Sequence, residues 1–470
     1  MTLRLTLALT LLAVVPAVRP VLAQPRTEQP PAVGDEMAEF EKELDALFSS
    51  GGLTADEAAQ RASRVSPSVR RSAAQIEVAI AQAQAAELSR VPQVGGSLSY
   101  TRLSPIDTPV FGDPASGMAF EFPVILNQYA ASARASINLS DYVLRYPKLI
   151  SAARLAEEVA RTSNRSAMVN AGQEARVAYY EWVRARLQNL IAKRQLEQVR
   201  TTLRQVRALA EAQRLSRADL MRVESNEAVA EQASIQLRNL AELREEQVRL
   251  LIDAPPEQPL TIGEDIRVDI TAAVAGKLDD LLGTAKKQRL DFKVLDTGIE
   301  AKERQRAAER ANLYPKLSAF GQVDYANPNQ RIFPAEEKFN LTWAVGAQIS
   351  WTLNETLFAR TTDRRLRGET NELRADRENL ERGTRIELLA AQQSVSIAIA
   401  ALATSAKGLA AAQEGYRVRR ELLNAQRATA VELVDAETDL TRARIAALNA
   451  RVDLRVAMVQ LAHALGNDVK

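Results

Sequence analysis

A fifteen-residue stretch occurs twice in this chain: Glu211 to Ser225 reads EAQRLSRADLMRVES, and Asn424 to Thr438 reads NAQRATAVELVDAET. Displaced by 213 positions, Gln213 falls on Gln426, Arg214 on Arg427, Ser216 on Thr429, Asp219 on Glu432, Leu220 on Leu433 and Glu224 on Glu437. Each copy sets a small hydroxyl residue three positions before an acid. That is the spacing of a helix N-cap, whose oxygen accepts an amide while the carboxylate at N3 reaches back. Helices are therefore expected to begin at Ser216 and Thr429. Helical pattern also runs into both stretches from the N-terminal side, so each marks the bend of a helical hairpin. A chain built this way folds as two similar halves.

Composition agrees with a helical chain. Aromatic residues make up 5% of the 470 positions and charged residues 26%, and 61 basic side chains nearly cancel 59 acidic ones. A net charge of +2 gives no support to a nucleic-acid partner. The absence of cysteine excludes disulfides, thiol catalysis and thiolate metal sites. The one histidine, His463, lies in a C-terminal helical pattern and reads as a packed or solvated helix residue. No nucleophile and base stand at a motif spacing, and no phosphate loop or ligand cluster is present, so no catalytic residue, cofactor or metal is expected. At the start, basic Met1 to Arg4, apolar Leu5 to Val15 and small residues at 21–23 form a cleavable secretory signal, residues 1–23. Residues 24–53 follow as a leader, proline-rich and flexible over 24–34.

The two halves repeat one order of elements. The first, 54–252, opens with a helix from Thr54 to Arg90, capped by Thr54-Ala-Asp-Glu and interrupted at Pro67. Val91-Pro92 ends it, and the apolar period then changes from helical to alternating. Strands are expected at 93–103, where Val94, Gly96, Leu98 and Tyr100 share one side, and at 131–142. A helical hairpin bending at 214–218 completes the half. Prolines 255, 256 and 259 mark a linker, 253–277. The second half, 278–466, has a helix from Leu278 to Asn312, the Tyr314-Pro315 break, strands at 316–326 and 341–353, and a hairpin bending at 427–431.

The hairpin helices carry heptads. Leu433, Leu440, Ala447, Leu454 and Leu461 recur every seven residues, with Ala436, Ala443, Ala450, Ala457 and Ala464 between them. This is an a/d seam whose alanine row lets a neighbouring helix approach closely. The preceding helix has its own row: Leu388, Val395, Leu402, Leu409, Tyr416 and Leu423. Glu378 with Arg382 and Glu381 with Arg385 are expected as i, i+4 pairs. Gln392, Gln393, Ser394, Ser396 and Lys407 interrupt its most apolar part and argue against a membrane-spanning helix.

The four strands admit two readings. Alternation is what a sheet packed on helices in a soluble domain would show. Trp343 and Trp351, eight residues apart on one side of one strand, favour the other. At ~3.3 Å per residue they stand ~26 Å apart, a separation that suits two interfacial aromatic belts bracketing an apolar band, with Tyr100 and Tyr325 in the same role. The smallest single-chain barrels use eight strands and a bilayer admits no open sheet edge, so four strands can span only if several chains pool them.

With its duplicated order, the Arg90-Val91-Pro92-Gln93-Val94 and Leu313-Tyr314-Pro315-Lys316-Leu317 strand entries and the two bends, the chain resembles the TolC-like outer-membrane efflux proteins. Thr429-Ala-Val-Glu-Leu-Val-Asp-Ala-Glu-Thr-Asp-Leu440 looks like that family's second periplasmic tip. The resemblance covers nearly all the mature chain. It implies a mainly α fold with a small β part: a homotrimer with a 12-stranded transmembrane barrel and an α-helical tunnel reaching into the periplasm. It also implies an exit duct of a tripartite efflux or type I secretion system, seated in outer-membrane lipid. Its partners would be a periplasmic adaptor (membrane fusion) protein and an inner-membrane pump.

Glu432 and Asp435 match the family's two acidic positions at the channel constriction of the tip. Carboxylate rings there select for cations. Each residue also has a plainer reading, Glu432 as the N3 member of a capping box and Asp435 as a first-turn acid. Ser216, Asp219 and Thr429 are tip turn and cap residues. The sequence departs from the family at Asp141-Tyr142-Val143-Leu144 and Asn354-Glu355-Thr356-Leu357, where a glycine-rich turn is usual. Arginines 360, 364, 365 and 367 stand just beyond the last strand, either facing lipid headgroups or simply solvated. Two other classes remain beside the duct: a periplasmic adaptor, and a structural coiled coil with a soluble sheet.

Overall fold

The computed structural model describes residues 33–106, 117, 124–268, 270, 276–425 and 427–467. The expected signal peptide, residues 1–23, and Gln426 of the second bend lie outside them. The chain divides into two compact units, Met1–Asp45 and Ala46–Lys470. Helix α1, Val33–Leu47, begins in the first and ends just inside the second. The expected leader, 24–53, is thus regular structure from residue 33 onward, for strand β1, Phe48–Leu53, follows at once.

Both repeats belong to the second unit. Strand β1 bridges to Ile262 of the linker, with Leu53 N donating to Thr261 O at 2.8 Å and Gly263 N to Leu53 O at 2.8 Å. Gly52 and Gly263 allow this crossing, since a Cβ built on Gly263 would sit 2.1 Å from Gly52 O. Helices α2, Ala55–Val65, and α3, Pro67–Leu88, meet at Pro67, which occupies the first position of α3, where no intrahelical donor is needed. In the second repeat the helix expected over Leu278–Asn312 is also divided, into α7, Leu278–Gln288, and α8, Leu290–Glu309, followed by a 3-10 turn, Arg310–Leu313. The break at Arg289 has no proline. Its guanidinium is drawn to Asp291 at 2.7 Å and Glu387 at 2.6 Å, and its backbone lies so close to Gly466 that a Cβ there would be 2.9 Å from Arg289 N.

Strand β2, Gln93–Arg102, is followed by β3, Asn127–Asn138, which begins and ends four residues before the expected 131–142. Residues from Leu139 to Leu144 form a short helix, α4, instead. Turning there lets Ser140 Oγ accept from Leu317 N at 3.3 Å and Tyr142 donate its hydroxyl to the carbonyl of Arg90, tying both strand entries to one point. β4, Lys316–Asn327, and β5, Asn340–Ser350, complete the sheet. The expected strand 341–353 stops at Ser350 because α9 begins at Leu353.

The hairpins are α5, Tyr146–Glu211, with α6, Arg217–Ile252, and α9, Leu353–Asn424, with α10, Ala430–Leu465. At ~1.5 Å per residue the longer arms run on the order of 100 Å. α5 packs against α2, α3, α6, α8 and α10, so both repeats share one core. Trp182, Tyr179, Val183 and Leu187 are fully buried along it. Leu433, Leu440, Leu454 and Leu461 are buried as the heptad requires, and Leu388, Val395, Ala457 and Ala464 share a cluster with Leu454 and Leu461. Of the two expected ion pairs on α9, Glu378 does bind Arg382. Arg385 instead reaches Asp279 at 3.2 Å, because α7 lies alongside.

The linker is clamped between the halves. Tyr180 of α5 donates its hydroxyl to Glu264 at 3.0 Å, and Arg455 of α10 reaches the same carboxylate at 3.4 Å and Val268 O at 2.8 Å. Burial, and then the Glu264 charge, hold the Tyr180 phenol well above its ordinary range. It therefore serves as a donor at any physiological pH.

Candidate functional site

The four strands form one antiparallel sheet in chain order, β2-β3-β4-β5. Register aligns their alternation across the whole sheet. Leu98 pairs with Ala131, Ala131 with Tyr325 and Tyr325 with Leu341; one step along, Gly96, Ala133, Val323 and Trp343 form a second row, and Val94, Ala135, Gly321 and Val345 a third. One face is thereby apolar from edge to edge. It is not covered by helix: Leu98 is 87% exposed, Val345 77% and Trp343 68%. The other face carries polar contacts. Ser97 and Ser132 hydroxyls meet at 2.7 Å, Gln322 donates to Asp324 at 2.8 Å, and the Arg134 guanidinium lies 5.0 Å over the Phe320 ring. The outer edges of β2 and β5 have no strand partner among the described residues.

Aromatic side chains gather at the end of the sheet away from the helix entries. Tyr100 lies 5.0 Å from Tyr129, Tyr325 stacks on Phe339 at 5.1 Å, and Tyr129 lies 6.1 Å from Phe339. The structure brings the sequence-chosen Tyr100 and Tyr325 together with Tyr129 and Phe339, which the sequence reading missed. Tyr129 continues the alternation of Ala131 and Ala133, but it sits before the expected start of its strand. Trp343 lies one row inward, opposite Val323. Trp351 is not on the strand. It follows Ser350 and donates its indole N–H to Thr356 Oγ1 of α9 at 3.1 Å, which puts it at the strand-to-helix turn.

The two bends meet. Leu203, Val206 and Val223 of the first hairpin share a buried cluster with Ala430 and Val434 of the second, and Leu215 and Leu220 pack against it. Ser216 accepts from Asp219 N at 3.1 Å and donates to Asp219 Oδ2 at 2.7 Å; Thr429 accepts from Glu432 N at 3.2 Å. Among the described residues, only Thr54 and Glu57 close a complete capping box. Glu432 caps nothing with its carboxylate, which turns to Arg419 of α9. Asp435 pairs with Arg222 of α6 at 3.7 Å, both partners about 60% exposed, a bridge between hairpins. Arg222 and Arg419 were not singled out by sequence, because only the folded bend makes them neighbours of those acids. The repeated glutamates have diverged: Glu224 pairs with Arg207 at 2.8 Å, whereas buried Glu437 accepts from Thr202 at 2.8 Å.

No protein-family model matches the sequence, and no curated protein matches it. Solved structures do match. The channel protein CusC is 15% identical, with a TM-score of 0.74 over 96% of this chain and 98% of its own. The outer-membrane protein VceC of Vibrio cholerae is 16% identical, with a TM-score of 0.71 over 93% and 99%. The CmeC outer-membrane channel of Campylobacter jejuni is 13% identical, with a TM-score of 0.72 over 97% and 94%. At these identities the likeness is one of fold over nearly the whole length, and the chain has the fold of these outer-membrane channels.

Proposed function

We propose that this protein is a TolC-like outer-membrane exit duct, the channel of a tripartite efflux or type I secretion system. The observation that carries the reading is the sheet: an apolar face bare from edge to edge, with both edges open. In water such a surface is a liability; in a bilayer, with the edges joined to those of further copies, every strand amide is satisfied. Three copies pool four strands each into a 12-stranded barrel whose small polar face lines a wet lumen. Tyr100, Tyr325, Trp343 and Trp351, with Tyr129 and Phe339, sit at its interfaces. The helical hairpins form a tunnel in the periplasm. Their exposed apolar residues, Val229, Leu243 and Leu250 on α6 and Ile386 and Ile397 on α9, meet the neighbouring copy.

Substrate moves passively. An inner-membrane pump supplies the energy, and a periplasmic adaptor engages the tip, where Ser216, Asp219 and Thr429 hold the turns. Glu432 and Asp435, three of each in the trimer, ring the entrance and favour cations. Their ties to Arg419 and Arg222 hold the closed tip. Extraction and conductance test the reading together. The protein is expected in the outer-membrane fraction as a trimer, with cation-preferring conductance in a planar bilayer. Glu432→Ala with Asp435→Ala should conduct more and lose that preference. A detergent-free soluble monomer ends the proposal.

A further inference from the structure

We propose that Arg360, Arg364 and Arg367 form a binding site for the phosphate headgroups of anionic phospholipid. The site rests on the membrane reading of the sheet above, and it lies at the leaflet from which the helices depart. The three arginines are spaced i, i+4, i+7, which sets them on one face of α9. Leu353, 63% exposed, and Leu357, 51% exposed, precede them on that face. From the sheet downward the face reads apolar, then basic. Trp351 ties it to the sheet's bare side. It lies just past the strand's end, two residues beyond Ile349 of the bare side, and its indole bonds Thr356, which shares the arginines' side of the helix.

Acid side chains nearby are already committed. Glu355 holds Lys316 at 3.0 Å, Asp363 holds Arg306 at 2.8 Å, and Glu369 holds Lys302 at 2.8 Å as well as Arg365. Arg360, Arg364 and Arg367 enter no ion pair among the described residues; Arg367 acts on Asp363 through its charge alone, and that carboxylate is held by Arg306, so the cluster keeps most of its charge for an external anion. Duplication does not account for the cluster. At the matching positions of the first repeat stand Pro147, Ser151 and Arg154, and Arg154 is paired with Glu87 at 2.7 Å.

Depth fits as well. Arg360 is ~10 Å along α9 from its first residue, and side chains on a helix lean toward its N-terminus, here toward the sheet. Long arginine stems extend that reach to the headgroup layer, which adds ~5–7 Å beyond the hydrocarbon. Arg360 lies nearest and Arg367 farthest, so their contributions descend in that order.

Native mass spectrometry of the detergent-purified full chain tests this by titration with palmitoyl-oleoyl phosphatidylglycerol against the phosphatidylcholine of the same acyl chains. Wild type is expected to prefer the anionic lipid. Each arginine is worth about fivefold, so R360Q/R364Q/R367Q should lose on the order of a hundredfold. R360K/R364K/R367K should retain most of the preference. R204Q/R214Q/R217Q, which removes the same charge at the bends, should retain all of it. Should the triple glutamine variant fail to assemble, the single variants carry the test, in the order Arg360, Arg364, Arg367. Unchanged lipid preference in the glutamine variants, an equal loss in the bend control, or displacement by inorganic phosphate as effective as by phosphatidylglycerol overturns the site. Lipid indifference in a trimer that still conducts overturns this site alone, whereas a chain soluble without detergent overturns the channel reading with it.

Discussion

Single residues decide where the chain can cross itself. Gly52 and Gly263 are needed because their backbones touch, and the methyl of Gly263→Ala has nowhere to go. That variant should lose about 1–3 kcal/mol of stability, read as a lower Tm and faster proteolysis at 48–53. A wild-type melting curve would show that the crossing yields. Asp363 gives a prediction with a sign. The hydrogen bond from Arg306, with the Arg306, Arg310 and Arg367 charges, holds its carboxyl below the ordinary value of 3.8. A depressed folded value stabilises at all pH above the unfolded one and is lost as pH falls through the folded one. Between about pH 5 and pH 3, Asp363→Asn should therefore lose less Tm than wild type does. Parallel curves would remove the pair from the acid response.

Elements obey the duplicated signal closely at the bends and less closely at the strand ends. Ser216→Ala and Thr429→Ala each remove a cap acceptor and should cost about 1 kcal/mol, seen as faster amide exchange in the first turns of α6 and α10 with the rest unchanged. Exchange that stays slow would mean that packing of the Val206, Val223 and Val434 cluster alone holds the bends. The caps were legible because hydroxyl and acid are three residues apart in sequence. The break at Arg289 was not, since it is held by Gly466 and Glu387, far away in the chain. The end of β3 was misread for a similar reason: Leu139 and Ser140 continue the alternation, but Ser140 is drawn into α4 to meet Leu317.

At the scale of the whole molecule, the proposed channel depends on a surface that one copy leaves bare. If the proposed barrel forms, Val345→Arg, at the middle of the apolar face, should cost about 2–4 kcal/mol in the membrane and reduce trimer recovery, while Thr342→Arg on the opposite, polar face should assemble normally and alter conductance. Equal yields from both would mean that this face does not meet lipid. Sequence alone determined what local spacing encodes: two equivalent halves, hairpins of heptad helices, four alternating strands, and acids at one bend. Each rests on residues within a few turns of one another, where geometry follows from period. Only the tertiary structure decided the partners of those acids, Arg419 and Arg222, the aromatic group of Tyr100, Tyr129, Tyr325 and Phe339, and the clamp of the linker by Tyr180 and Arg455. Such contacts join residues from 13 to 213 positions apart, and a linear pattern carries no record of which side chains the fold will bring within reach.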